Sequence, residues 1–217
     1  MPPRDTLVHR LIEAGLIAII RARRTDQVLP LAEALLAGGI TAVEVTFSTP
    51  NALAALAAAS ARLGERALVG VGTVLTEDQC RAALAAGAQF VVSPIARTEL
   101  VALAQAASKP VMLGACTPTE AQRVHESGAD FVKLFPADTL GPAFIKALRA
   151  PLPHLKIVPT GGVDLRTLAN FIRAGCVAVG VGSSLITPDI LAREDWPALT
   201  DLARQYVAAL AAARAGR

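Results

Sequence analysis

Short apolar runs alternate with longer, alanine-rich amphipathic stretches along this chain. One phrase recurs four times: Gly38-Gly39-Ile40-Thr41-Ala42-Val43-Glu44-Val45, Gly87-Ala88-Gln89-Phe90-Val91-Val92, Gly128-Ala129-Asp130-Phe131-Val132-Lys133 and Gly175-Cys176-Val177-Ala178-Val179-Gly180. Glycine after a last helical turn permits the left-handed C-cap, and the continuous apolar run behind it is the mark of a parallel strand covered on both faces. Four further apolar runs, Ile17–Ile20, Ala67–Val71, Pro110–Leu113 and Leu155–Val158, bring the predicted strands to eight. Between them, helix starts are predicted at Thr25-Asp26, Thr49-Pro50, Thr76-Glu77, Thr117-Pro118-Thr119-Glu120 and Asp164, which offer N-cap oxygens, first-turn proline or an acidic first turn.

Eight strands alternating with helices over about 200 residues predict an α/β fold, a (β/α)8 TIM barrel. It is expected as a single domain over residues 1–217, with an extra N-terminal helix, Asp5–Ala14, as a lid beneath the first strand and Trp196–Ala213 as the last helix. A doubly wound open sheet is the competing topology. The regular period and the lack of a G-x-G-x-x-G turn after the first strand favour the barrel.

Composition narrows the function. With 217 residues and 53% hydrophobic content the chain can fill one core, and a net charge of +3 with only 4% aromatics offers no basic surface interleaved with stacking rings. Nucleic acid is therefore not an expected partner. Cys80, Cys116 and Cys176 form no CxxC pair and are expected as buried thiols of a reducing compartment, and His9, His125 and His154 have no metal-ligand spacing. No metal is expected. The charged start, Arg4 to Glu13, does not resemble a signal peptide, and no apolar run is long enough to span a bilayer, so a cytoplasmic protein without a membrane partner is expected.

Barrel chemistry collects where strands run out into the following loops. In this chain those positions are Arg21, Glu44 with Ser48, Gly72-Thr73, Ser93-Pro94, Gly114, Lys133 with Phe135, Thr160-Gly161-Gly162 and Gly182-Ser183-Ser184. Lys133 is the most informative of them, because lysine is rarely buried unless it is compensated or used. Burial disfavours an ammonium, and the neutral amine is the species that attacks a carbonyl to form a Schiff base. Glu44, on the second predicted strand where Lys133 is on the sixth, belongs to the same interior layers by strand parity and can serve as the proton carrier such chemistry requires. A lysine that snorkels to solvent and a structural ion pair are the plainer readings. Glycines after strands 7 and 8 let backbone N–H groups approach an anion, at the mouths where barrel enzymes commonly hold phosphate.

The runs Glu44-Val45-Thr46, Gly70-Val71-Gly72-Thr73-Val74, Val92-Ser93-Pro94, Val132-Lys133-Leu134-Phe135-Pro136-Ala137, Pro159-Thr160-Gly161-Gly162-Val163 and Gly182-Ser183-Ser184 together resemble the 2-keto-3-deoxy-6-phosphogluconate (KDPG) aldolase family, over roughly Leu7 to Ile186. The resemblance implies a class I aldolase, usually a homotrimer without a cofactor, that splits a phosphorylated 2-keto-3-deoxy sugar acid into pyruvate and glyceraldehyde 3-phosphate in the Entner-Doudoroff pathway. It implies Lys133 as the Schiff-base lysine and Glu44 as general acid/base. Thr73, Pro94 and Phe135 would form the pyruvyl pocket, and Gly161, Gly162 and Ser183 would hold phosphate with Ser184 as helper. One departure stands out. Well-known members carry an arginine four residues after the glutamate, where this chain has Ser48. Serine cannot supply that charge, and Arg21 is the local candidate for the substrate carboxylate. The galactonate epimer and 4-hydroxy-2-oxoglutarate stay open as substrates, and a phosphate-binding barrel isomerase or epimerase and a silent binding barrel stay open as other classes.

Overall fold

Each apolar run becomes a strand, and the strands close on themselves. The structure, a computed structural model, describes residues 3–216; Met1, Pro2 and Arg217, inside the expected domain span, lie outside the described residues. The strands are β1 (Leu16–Ile20), β2 (Ala42–Thr46), β3 (Leu68–Gly72), β4 (Val91–Val92), β5 (Val111–Ala115), β6 (Phe131–Leu134), β7 (Ile157–Pro159) and β8 (Val179–Val181). Neighbours pair in parallel in the order β7-β6-β5-β4-β3-β2-β1-β8. A parallel bridge between Thr160 and Gly180 joins the two ends. This is the TIM barrel expected from the pattern. At the four repeated phrases, Gly39, Gly87, Gly128 and Gly175 all adopt positive φ, between 88° and 99°, so each helix is turned into its strand by a residue without a Cβ.

The helices are α1 (Arg4–Ala14), α2 (Val28–Ala37), α3 (Ala52–Leu63), α4 (Glu77–Ala85), α5 (Glu99–Ala106), α6 (Pro118–Glu126), α7 (Ala137–Arg149), α8 (Leu168–Arg173), α9 (Pro188–Arg193) and α10 (Trp196–Ala215). Thr76 and Thr117 cap α4 and α6 as expected, Thr117 in a capping box with Glu120. Two starts differ. Thr49 caps nothing; its hydroxyl is buried and accepts a hydrogen bond from Ala22 N–H, while α3 begins after Asn51. Before α2, the cap-like oxygen belongs to Gln27, whose Oε1 accepts from both Arg23 and Arg24 N–H.

The interior explains which end of the barrel is open. Ile17, Ala42, Leu68, Phe90, Met112, Phe131, Val158 and Ala178 point inward, and Leu7, Val8 and Leu11 of α1 pack against them from below. An ion pair between Arg4 and Asp130 (2.8 Å) and a hydrogen bond from Arg4 to the Gly128 carbonyl (2.9 Å) fasten the start of α1, and Arg214 of α10 donates to the carbonyls of Ile12 and Glu13 at its other end. The N-terminal end of the barrel is thereby plugged with apolar side chains.

Among the cysteines, Cys80 and Cys176 are buried thiols, but Cys116 is exposed just beyond β5 rather than buried, because its backbone N–H turns out of the strand to donate to Glu120. The histidines are less scattered than the sequence implies, since the rings of His125 and His154 lie 4.5 Å apart. No group of three or more potential metal ligands occurs among the described residues, and no described helix is long and apolar enough to cross a membrane.

Candidate active site

Side chains alternate along a strand, so the next inward position is two residues beyond each residue of the apolar layer. These positions are Ile19, Glu44, Gly70, Val92, Gly114, Lys133, Thr160 and Gly180. Gly72, the inward position of β3 beyond Gly70, is where the Glu44 carboxylate finds room. The Lys133 Nζ lies 3.7 Å from Glu44 Oε1, with side-chain exposures of 5% and 3%. Placing two ionisable groups on strands of equal parity brings them together across the barrel, as the sequence pattern requires.

The pair is close without being hydrogen-bonded. Glu44 Oε1 is buried and has no hydrogen-bond partner. At 3.7 Å and without a hydrogen bond, the pair lacks the geometry by which a buried structural ion pair offsets its desolvation. Glycine at position 72 is dictated by the same carboxylate, because a Cβ there would fall on Glu44 Oε1. Gly72→Ala should therefore displace Glu44 and lower kcat by about 100-fold, the cost typical of an ångström-scale misplacement, with the far-ultraviolet circular dichroism spectrum unchanged. A kcat within twofold of the parent would show that Glu44 position does not matter.

A cavity of about 330 Å³ opens at the mouth of β1, β7 and β8, and neither Lys133 nor Glu44 lines it. Arg21, Phe135, Gly161, Gly162, Ser183 and Ser184, six of the residues singled out in the sequence, line it. Phe135 connects cavity and pair, its ring centroid 5.8 Å from Lys133 Nζ, and Ile19, which lies beside Glu44 in the β1–β2 register, is a second connection. Gly161 and Gly162 have φ of 96° and 66°, so these successive residues use the left-handed region that glycine tolerates.

The other expected site residues are placed differently. Thr73 follows β3 with φ of 60°, a strained conformation for a β-branched residue, and strain of this kind collects at functional sites. Pro94 follows β4 with its carbonyl against Gly114, so close that a Cβ at Gly114 would overlap it. Neither lines the 330 Å³ cavity, and both belong to the opposite, β3–β4 side of the mouth. Ser48 is exposed and also outside the cavity; the Thr46 hydroxyl donates to Ile20 O (3.0 Å) and pairs with Ser48 Oγ at 2.7 Å. Ser184 lines the cavity, but its hydroxyl donates to the Val163 carbonyl. Burial raises the pKa of the Tyr206 hydroxyl on α10, with the Ser184 side chain and the Leu165 backbone acting against it.

Sequence reading passed over Arg23, which also lines the cavity, and the wall contributed by Pro188 and Leu191 of α9. No local signal distinguishes Arg23 from Arg24 beside it. No acidic residue lines the cavity, so Arg21 and Arg23 give it a positive field suited to anions.

Comparison with known proteins agrees with this architecture. The family model "KDPG and KHG aldolase" matches residues 7–202. Fold and family place the protein among class I aldolases, which are carbon–carbon lyases. The chain is 38% identical to a 2-dehydro-3-deoxy-phosphogluconate aldolase of Treponema pallidum, over 92% of this chain and 95% of that one. It is 37% identical to the 2-dehydro-3-deoxy-6-phosphogalactonate aldolase of Escherichia coli K12, over 78% and 83%. A crystal structure of KDPG aldolase from Legionella pneumophila, with pyruvate captured as a covalent carbinolamine, superimposes with a TM-score of 0.85 at 31% identity, covering 91% of this chain and 96% of that chain. The chain belongs to the KDPG and KHG aldolase family.

Proposed function

We propose that this protein cleaves 2-keto-3-deoxy-6-phosphogluconate to pyruvate and glyceraldehyde 3-phosphate through a Schiff base on Lys133. The observation that carries this reading is the buried Lys133 amine 3.7 Å from a carboxylate oxygen with no hydrogen-bond partner, next to Phe135, which lines a cavity with two arginines. The Lys133 amine attacks the C2 carbonyl, and the carbinolamine loses water to give a protonated imine. The C4 hydroxyl then gives up its proton as the C3–C4 bond breaks, and the bonding pair flows into the imine to form an enamine. Glyceraldehyde 3-phosphate departs, the enamine takes a proton at C3, and water releases pyruvate and the free lysine. Glu44, directly or through one water, carries the protons of these steps.

Phe135 with Thr73 and Pro94 walls the pyruvyl end, Arg21 takes the carboxylate, and Gly161, Gly162 and Ser183 hold the phosphate. Ser184 helps from behind, through its hydrogen bond to Val163. The whole chain, 1–217, acts as one barrel domain, in the cytoplasm and as a homotrimer, and needs no metal or organic cofactor. The galactonate epimer is the second reading, supported by 37% identity to an enzyme of that name.

Pyruvate with borohydride, followed by peptide mapping, should yield a reduced pyruvyl adduct on Lys133; folded protein without an adduct overturns the aldolase mechanism. Release of pyruvate from each epimer and from 4-hydroxy-2-oxoglutarate, compared by kcat/KM, then ranks the substrates. Arg21→Ala should lower kcat/KM by about 10- to 100-fold, mainly through KM, the range expected for a charge-assisted hydrogen bond of about 1.5–3 kcal/mol. An unchanged KM would remove Arg21 from the carboxylate.

A further inference from the structure

Of the charged side chains that line the cavity, Arg21 directly follows β1 and Arg23 stands two residues further on, at the bend beyond the strand, and both are exposed at the cavity mouth. Neither guanidinium makes a hydrogen bond or ion pair with a described residue, although arginines elsewhere are largely engaged: Arg24, next in the chain, holds Asp26 at 3.0 Å and Glu194 at 2.6 Å. The loop that carries them is firmly built. Three successive backbone N–H groups are tied down, Ala22 to Thr49 Oγ1 and Arg23 and Arg24 to Gln27 Oε1. Both acceptors are buried, Thr49 at 3% and Gln27 at 4% exposure. Gln27 also reaches across to the end of α9, donating to Glu194 Oε1 at 3.0 Å, so the loop and the α9 wall of the cavity are fastened by one side chain.

We propose that Arg23 is the residue that reads the charge of the distal phosphate, and that Gln27 positions it. This rests on the aldolase reading above. A substrate with an anion at each end brings two charges to a cavity that presents two uncommitted arginines and no acid. Arg21, next to the strand, serves the carboxylate beside the reacting carbonyl. Arg23, at the bend, faces the phosphate held by the glycine-lined mouth of β7 and β8. Backbone N–H groups supply direction there but only partial charge, and a phosphate dianion in a low-dielectric cavity needs a full counter-charge. Arg24 cannot supply it, because its guanidinium is already committed to two carboxylates. Fixing the loop in advance also limits the entropy lost when a long side chain is immobilised on binding.

The test compares wild type, Arg23→Ala and Arg23→Lys on the phosphorylated keto acid and its phosphate-free counterpart, together with calorimetric titration of inorganic phosphate. In Arg23→Ala, the ratio of kcat/KM for the phosphorylated to the unphosphorylated substrate should fall by about 30-fold, and phosphate binding should weaken at least tenfold, with Arg23→Lys intermediate in both. Equal losses on the two substrates, or phosphate affinity unaltered by Arg23→Ala, would overturn the assignment. Phosphate titration needs no turnover, so it judges Arg23 even if neither keto acid is cleaved; missing turnover and a missing pyruvate adduct in the wild type would instead count against the aldolase reading.

Discussion

Lys133→Met should leave a folded barrel that no longer cleaves its keto acid: kcat falls by on the order of 10⁵-fold or more, as when a covalent nucleophile is deleted elsewhere, and pyruvate with borohydride adds no mass. Methionine fills nearly the same space, so the interior is not left with a large void. What disappears is the amine. No described side chain could replace it, since the nearest functional group inside the barrel is the carboxylate of Glu44, 3.7 Å from the lost nitrogen. Activity retained within tenfold would assign Lys133 to structure and return the search to the isomerase and binding-barrel classes.

Glu44→Gln should lower kcat by about 10²- to 10⁴-fold, the usual worth of a positioned proton carrier, while a pyruvyl adduct on Lys133 still accumulates, more slowly. The amide keeps the shape and cannot shuttle protons, so nucleophile and proton carrier come apart in one experiment. A paired replacement adds a separate readout. Glu44→Leu with Lys133→Met removes both charges, and such exchanges of buried ion pairs are often neutral or stabilising by about 1–4 kcal/mol. Here the pair is not hydrogen-bonded and Glu44 Oε1 is orphaned, so the double variant should melt at or above the wild-type temperature while being inactive. A large fall in melting temperature would mean that the pair serves chiefly to hold the fold.

Much of this was legible in the sequence, for reasons that differ from residue to residue. The strands announced themselves because a parallel barrel buries both faces of each one, leaving unbroken runs such as Phe90-Val91-Val92. Lys133 and Glu44 stood out because a charge within such a run is costly. The helical lid Arg4–Ala14 was visible from its amphipathic pattern, although the Arg4–Asp130 latch that fastens it spans most of the fold. Hydroxyl commitments were not legible. Ser184 resembles a phosphate ligand in sequence, and only the Val163 carbonyl beside it shows its hydroxyl hydrogen to be committed. Thr49 likewise reads as a helix cap until Ala22 is seen beside it. Arg23 and Arg24 are indistinguishable as letters; the contacts of Arg24 with Asp26 and Glu194 leave Arg23 as the one with its charge to spare. Nor does the sequence reveal why position 72 is glycine, since only the folded barrel sets it against the Glu44 carboxylate.

The plugged floor under the reaction chamber also fixes the traffic through it. With Leu7, Val8 and Leu11 of α1 sealing one end, substrate and both products share a single doorway. On the mechanism proposed for Lys133, the phosphorylated aldehyde, nearer that doorway, would leave first. Pyruvate, bonded to Lys133 at the dead end, would wait behind it until water cut it free, and run in reverse the same cul-de-sac would require pyruvate to be loaded before any aldehyde could follow.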